Sequence, residues 1–173
     1  MKTIILLRHA KSSRNDAAQA DFDRPLAPRG KRACEAVIKA LCRLKLRPDV
    51  VLCSSARRAE ETLLGIEPAL ADGPAVMHER RLYLASAARL LGRLRGLDDG
   101  VRSVLLIGHN PGLQGLAVLL AGSGNEAALA RLAAKFPTAG LATLNFPGKR
   151  WGELAAGSAE LVGLWSPKDD KDD

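Results

Sequence analysis

Two apolar runs that each stop at a histidine constrain this chain more than any other feature. Thr3-Ile4-Ile5-Leu6-Leu7 leads into Arg8-His9, and Val104-Leu105-Leu106-Ile107 leads into Gly108-His109. A short apolar run bounded by polar or turn residues reads as a buried strand. Ligands of open α/β sheets sit outside the carboxyl ends of the strands, so a reactive side chain directly after a strand is placed for chemistry. Two such endings, both histidine, point to one shared pocket.

Further buried strands are read over residues 49–53, 75–78, 141–146 and 160–165, in addition to 3–8 and 103–108. Helical spacing fills the intervals. Over 31–44, Cys34, Val37, Ile38, Leu41 and Leu44 recur at three- and four-residue steps, with Lys39 and Arg43 on the other side. Similar faces span 55–70, 86–97 and 111–120. This alternation predicts a three-layer α/β/α sandwich around a mostly parallel sheet of about six strands, joined by right-handed crossovers. Between the last two strands stand Pro147-Gly148 and Gly152 without a helical pattern. That end of the sheet is expected to form an antiparallel hairpin or meander. Residues 1–167 read as a single domain, and the acidic tail 168–173, with no apolar residue to dock, as frayed.

Composition narrows the function classes. No apolar stretch approaches the ~18 residues that cross a bilayer. The three cysteines, Cys34, Cys42 and Cys53, form no CxxC pair and are odd in number, as expected in a reducing compartment, so the cytoplasm is the expected location. The net charge is +7, and the tail holds two lysines against four aspartates, which leaves the rest of the chain at +9. Such a body favours anionic partners. Aromatic residues are only 3% of the chain, too few to stack bases, so neither nucleic acid nor a membrane is an expected partner.

After the first strand, Ala10-Lys11-Ser12-Ser13-Arg14-Asn15 offers hydroxyl and amide groups able to contact phosphate oxygens. The strand at 49–53 leads into Ser54-Ser55-Ala56-Arg57-Arg58, a helix start with two arginines, which suits an anion. Adjacent helical residues point about 100° apart, so at most one of the two faces a site. The plainer alternative is a pair of solvated charges matched to Glu60 or Glu61. At the second histidine, Asn110 is expected to cap a helix whose first residue is Pro111. Neither the histidines nor the cysteines stand at metal-ligand spacing, and no metal or cofactor is expected.

Taken together, these segments resemble the histidine phosphatase superfamily, the phosphoglycerate-mutase-like fold. Arg8-His9-Ala10 with Ser12 and Asn15 is similar to its Arg-His-Gly signature, Ala10 replacing glycine. Asp23, Pro25, Leu26 and Gly30 match its Asp-x-Pro-Leu-x-x-x-Gly segment. Ser54, Arg58, Ala59 and Thr62 match Ser-x-x-x-Arg-Ala-x-x-Thr, and Gly108-His109 the second-histidine segment. The short chain, lacking long inserts, looks like the SixA-type phosphohistidine phosphatases. The resemblance implies that His9 is a nucleophile that becomes phosphorylated. It implies that Arg8, Arg58 and His109 hold the phosphoryl group, with Ser12 and Asn15 as further phosphate contacts. Glu79 is the matching candidate for the leaving-group acid, its plainer reading being a charge paired with Arg80 or Arg81. The implied partner is a phosphorylated protein of the histidine-containing phosphotransfer type, or a small phosphate ester. A broad phosphomonoesterase or mutase stands as one alternative, and a phosphate-dependent binding module without turnover as another.

Overall fold

Strand β1 (Lys2–Arg8) carries Ile4, Ile5, Leu6 and Leu7 in succession, all fully buried. Successive strand side chains point to opposite faces, so Ile4 and Leu6 enter one apolar cluster and Ile5 and Leu7 another. A strand buried in this way needs cover on both sides, which only helices above and below the sheet supply. The computed structural model describes residues 1–70 and 73–171. After β1 come α1 (Pro28–Arg43), β2 (Val50–Ser54), α2 (Arg57–Ile66), β3 (Ala75–Glu79) and α3 (Ala87–Arg95). Then follow β4 (Ser103–Gly108), α4 (Gly112–Leu120), β5 (Ala121–Gly124), α5 (Glu126–Ala134), β6 (Leu141–Phe146) and β7 (Ala159–Trp165).

The seven strands form one sheet in the order β3-β2-β4-β1-β6-β7-β5. β6 runs antiparallel to both β1 and β7, and the other pairings are parallel. Helices α1 and α2 cover the face that holds Ile5 and Leu7, through Val37, Leu41, Leu63 and Ile66. Helices α3, α4 and α5 cover the other, through Leu90, Leu94, Leu113, Leu116 and Leu132. The three layers and the antiparallel end of the sheet are those expected. None of these helices is long and apolar enough to cross a membrane.

Four expectations about the strands and helices are corrected. The sheet has a seventh strand: β5 is Ala-Gly-Ser-Gly, without an apolar run, and it forms because β7 offers it a parallel edge. Helix α5 was likewise absent from the periodicity, its one fully buried side chain being Leu132. The helix expected over 55–70 stops at Ile66 and continues as a 3-10 turn, Glu67–Ala69, since Pro68 has no N–H to extend the ladder. Helix α4 begins at Gly112 with Pro111 as its N-cap, and Asn110 instead accepts from the Gln114 N–H through its side chain.

The tail is not frayed over the described residues. Asp169–Lys171 makes a 3-10 turn in which Asp169 accepts from the Ser166 N–H and pairs with Arg131 at 3.0 Å. Asp170 accepts from Trp165 Nε1 at 3.0 Å and pairs with Arg43. Charged residues, not apolar ones, dock this segment. Residues 172 and 173 lie outside the described part.

The Asp23-Pro25-Leu26-Gly30 segment clamps the loop after β1. Ser13 N–H donates to Pro25 O, Ala27 N–H donates to Lys11 O, and Leu26 N–H donates to Glu61 on α2. Gly30, in the first turn of α1, lies so close that a Cβ there would stand 2.1 Å from Lys11 O. Replacing Gly30 by Ala must push α1 off this loop. The expected cost is about 1–3 kcal/mol of folding stability, read as a lowered urea midpoint at unchanged slope; an unshifted midpoint would mean the loop moves freely.

Candidate active site

The parallel register of β1 and β4 pairs Leu7 with Ile107 and Arg8 with Gly108. The next residue on each strand is a histidine, so His9 and His109 leave the sheet side by side. Their ring centroids are 5.1 Å apart, and the His9 N–H donates to Gly108 O at 3.1 Å. His9 is 7% and His109 3% exposed.

The tautomer of His9 follows from its partners. His9 Nδ1 lies 2.8 Å from Ala10 O, which can only accept, so Nδ1 carries the hydrogen and Nε2 keeps a lone pair. Arg58 Nε donates to that Nε2 at 3.3 Å, in agreement. His109 Nε2 lies 2.7 Å from the hydroxyl of Ser54, the last residue of the neighbouring β2. That hydroxyl also accepts from the Ala56 N–H. A hydroxyl can donate to Nε2 or accept from it, so the Ser54 bond is compatible with either tautomer of His109, whose Nδ1 is a buried atom with no protein partner among the described residues.

Arg58, the second residue of α2, is buried, with its side chain only 3% exposed. Its Nη1 donates to Asp21 O at 2.6 Å and its Nη2 to Asp21 Oδ2 at 3.0 Å. Arg57 is half exposed and pairs with Glu61 at 3.1 Å, so one arginine faces inward as helix geometry requires. Thr62, one turn on, donates to Arg58 O and accepts from the Ala10 N–H. This is why a hydroxyl four residues after the arginine belongs to the pattern: it ties the helix to the loop of the first histidine. Ala10 stands where the family has glycine, yet it has no positive φ and is fully buried, so its methyl fits without strain. Arg8 Nη1 donates to Phe136 O at 2.9 Å, and its buried Nε has no partner.

These groups line a cavity of about 310 Å³ together with Lys11, Ser12, Arg14, Arg24, Asn110 and Thr138. Among the described residues Asp21 is its one carboxylate. Hydrogen bonding from Tyr83 and the charge of Arg58 hold that carboxyl below its ordinary range, against the effect of burial. Tyr83 in turn stacks edge-on against His109, ring centroids 5.4 Å apart, and against Phe22. Neither Asp21 nor Tyr83 was singled out from the sequence. Asp21 sits two residues before the Asp23 motif; Tyr83 carries no spacing signal.

Two expected residues are not brought into the cavity. Asn15 is exposed, and its N–H donates to the Ser13 hydroxyl. Glu79 ends β3 but turns to Arg81 at 2.6 Å and Arg93 at 2.8 Å, the plainer reading realised with Arg93 added. Burial pushes its carboxyl up, but the two guanidinium groups outweigh this and leave it below the ordinary range. An acid held ionised by two arginines is a poor proton donor at neutral pH.

Strand pairing also assembles donors that sequence spacing kept apart. Cys53 on β2, His78 on β3 and Glu60 on α2 place one potential metal-ligating atom each within 4.8 Å of one another. His78 Nδ1 is already bound to Glu60 at 2.7 Å. Burial, with the charge of Glu60, pushes the Cys53 thiol well above its usual range, which disfavours the thiolate a metal requires.

The sequence model of the histidine phosphatase superfamily (branch 1) matches residues 4–82. An uncharacterized protein of Mycobacterium tuberculosis is 41% identical over 166 residues, covering 94% of this chain and all of that protein. The chain belongs to the histidine phosphatase superfamily. An uncharacterized chloroplastic protein of Arabidopsis thaliana is 30% identical, over 96% of this chain and 78% of its own length. Among solved structures, one assigned as the phosphohistidine phosphatase SixA of Nakamurella multipartitia superposes with a TM-score of 0.82 at 29% identity, over 96% of both chains. The corresponding Agrobacterium tumefaciens structure gives 0.79 at 28% identity, over 96% of this chain and 98% of that one. The chain is of the SixA type, with the phosphoglycerate-mutase-like fold, and is a phosphatase.

Burial is the main reason that both histidines of this phosphatase resist protonation. Together with the charges of Arg58 and Arg8, and against the bond to Ala10 O, it lowers His9 to about 4. Burial, His9 and Arg58 lower His109 to about 3. Below the unfolded value of 6.5 the unfolded chain binds protons that the folded one refuses. Stability is therefore complete above about pH 6.5 and is lost as pH falls toward 4. The expected loss is about 2 kcal/mol per histidine between about pH 7 and pH 5. Urea unfolding of wild type and of His9→Asn/His109→Asn across this range measures it. The double variant should show the shallower pH dependence, and equal slopes would place the burden on other groups.

Proposed function

We propose that this phosphatase hydrolyses phosphohistidine in a protein substrate and does so through a phosphohistidine formed on its own His9. The observation that carries the reading is a cavity that Arg8, Lys11, Arg14, Arg24 and Arg58 line against one carboxylate, Asp21, among the described residues. His109 Nδ1 and Arg8 Nε–H have no protein partner among the described residues, and the lone pair of His9 Nε2 stands among them with Arg58. Buried polar hydrogens left unpaired are costly, and a tetrahedral oxyanion with a phosphorus open to attack would satisfy them.

In the first step His9 Nε2 attacks phosphorus in line, forming a P–N bond as the P–N bond to the substrate imidazole breaks; that imidazole takes a proton from solvent. In the second, water attacks the phosphorylated His9, inorganic phosphate leaves and the imidazole is restored. Holding His9 neutral keeps the lone pair available at neutral pH. Arg8, Arg58 and His109 stabilise the phosphoryl oxygens, whose charge must be carried through the transition state. Ser12 faces the same cavity and adds a hydroxyl.

Phosphohistidine is favoured over an ordinary ester by the state of the carboxylates. Asp21 in the cavity and Glu79 at the end of β3 are both held below their ordinary ranges by basic or hydrogen-bonding partners. An alkoxide leaving group needs a proton delivered, whereas imidazole leaves with much less help. The reducing compartment suggested by three free cysteines is consistent with an intracellular phosphoprotein.

Incubation with a phosphohistidine protein should leave acid-labile, base-stable phosphate on the enzyme, and His9→Ala should remove it while lowering turnover by about 10³-fold or more. Phosphate on a serine or cysteine would reject the nucleophile. Arg58→Ala should cost about 10²-fold in kcat and Arg57→Ala little, as judged by steady-state turnover; comparable losses would mean the wrong helix face was chosen. Turnover on phosphohistidine, phosphoserine and sugar phosphate measured side by side decides the substrate, and a clear preference for the sugar phosphate would overturn the reading.

A further inference from the structure

A second cavity, of about 510 Å³, adjoins the first and shares Arg8, Lys11 and Thr138 with it. Its wall adds Arg29, Lys135, Lys168 and Arg131, and among the described residues no carboxylate lines it. Arg131 is already paired with Asp169. The side chains of Lys11, Arg29, Lys135 and Lys168 are exposed and, among the described residues, make no ion pair or hydrogen bond. Four cations around one opening, none matched by an acid among the described residues, repel one another, and an anionic ligand would relieve that charge.

Arg29 adds an independent sign. It lies in the first turn of α1, a helix of 16 residues with no acidic residue in that turn. A cation at the positive end of a helix costs stability, where an acid would add it. The cost is matched to a use if Arg29 and the helix end face the same anion.

We propose that this cavity is an anion subsite that takes the carboxylates of an acidic segment flanking the phosphorylated residue of the protein substrate. The inference rests on the phosphohistidine-protein reading above. A peptide fits better than the second phosphate of a small molecule because the four cations come from four separate stretches: the loop after β1, the start of α1, the end of α5 and the segment after β7. Dispersed point charges suit several carboxylates on an extended chain. A compact phosphate calls for convergent donors like those of the first cavity.

Arg29→Ser/Lys135→Ser removes two of these cations and leaves the first cavity intact. Steady-state kinetics are compared on two phosphohistidine peptides that differ only in flanking Asp and Glu residues against Ser and Gln. The variant should raise KM for the acidic peptide about three- to tenfold, as expected for two partly exposed ion pairs, with kcat held. KM for the neutral peptide should stay put. For wild type, added salt should raise KM for the acidic peptide more than for the neutral one. Equal effects on both peptides, or none, would overturn the subsite while leaving the phosphohistidine reading standing. If neither peptide is hydrolysed while an aryl phosphate is, the reading itself fails and the subsite with it. A bisphosphate ester whose turnover depends on Arg29 and Lys135 when that of the acidic peptide does not would assign the cavity to a small molecule and overturn the peptide as occupant.

Discussion

The pairing of β1 with β4 is the constraint on which the site depends. Parallel strands in register at Arg8 and Gly108 end together, so the following residues emerge as neighbours although a hundred positions separate them in the chain. Antiparallel pairing could not do this, because it would send the two strand ends to opposite edges of the sheet. A slip of one residue would turn His9 and the apolar residues before it to the wrong faces. The apolar residues fill both cores alike, so it is the anchored polar ends, Lys2 on Val101 O and Arg8 on Phe136 O, that a slip would break, and these hold the two imidazoles in place.

Around that pair the protein gathers positive charge and admits little to balance it. Arg8 and Arg58 enter the cavity with the histidines, and Asp21 is the carboxylate that meets them. Two imidazoles in such surroundings stay neutral because burial and neighbouring guanidinium groups both oppose a further positive charge. Fold and chemistry pull in different directions here. The unpaired donors cost stability, and the refused protons do so below about pH 6.5; in the function proposed above both would serve a phosphoryl group. Ala139 shows a similar tension: its positive φ is held while its N–H reaches toward both Arg8 O and His9 O.

Elements with a strong local signal were legible. The apolar strands and the amphipathic faces of α1, α3 and α4 stand near where periodicity puts them, with ends moved by a residue or two and α1 starting three residues earlier. β5 was not legible, because Ala121-Gly122-Ser123-Gly124 has neither alternation nor bulk. Its place depends on close approach: a Cβ on Gly122 would stand 2.0 Å from Gly157 O. Glu79 illustrates the same limit at the site. Its position at a strand end was visible, but which of several nearby arginines would claim it depended on how α3 packs beside β3.

The order of residues by itself determined the layered architecture, the two histidines at strand ends and the limit of one inward arginine at the start of α2. All of these follow from short-range periodicity and from the geometry of a single element. Tertiary structure alone decided that Asp21 and Tyr83 brace Arg58 and His109, that Ser54 bonds His109, that Gly30 lets α1 touch the first loop, that Glu79 turns away, and that a second cationic cavity opens beside the first. Those features depend on which distant segments come into contact, and Coulomb and hydrogen-bond energies, which act over a few ångströms, have no counterpart in distance along the chain.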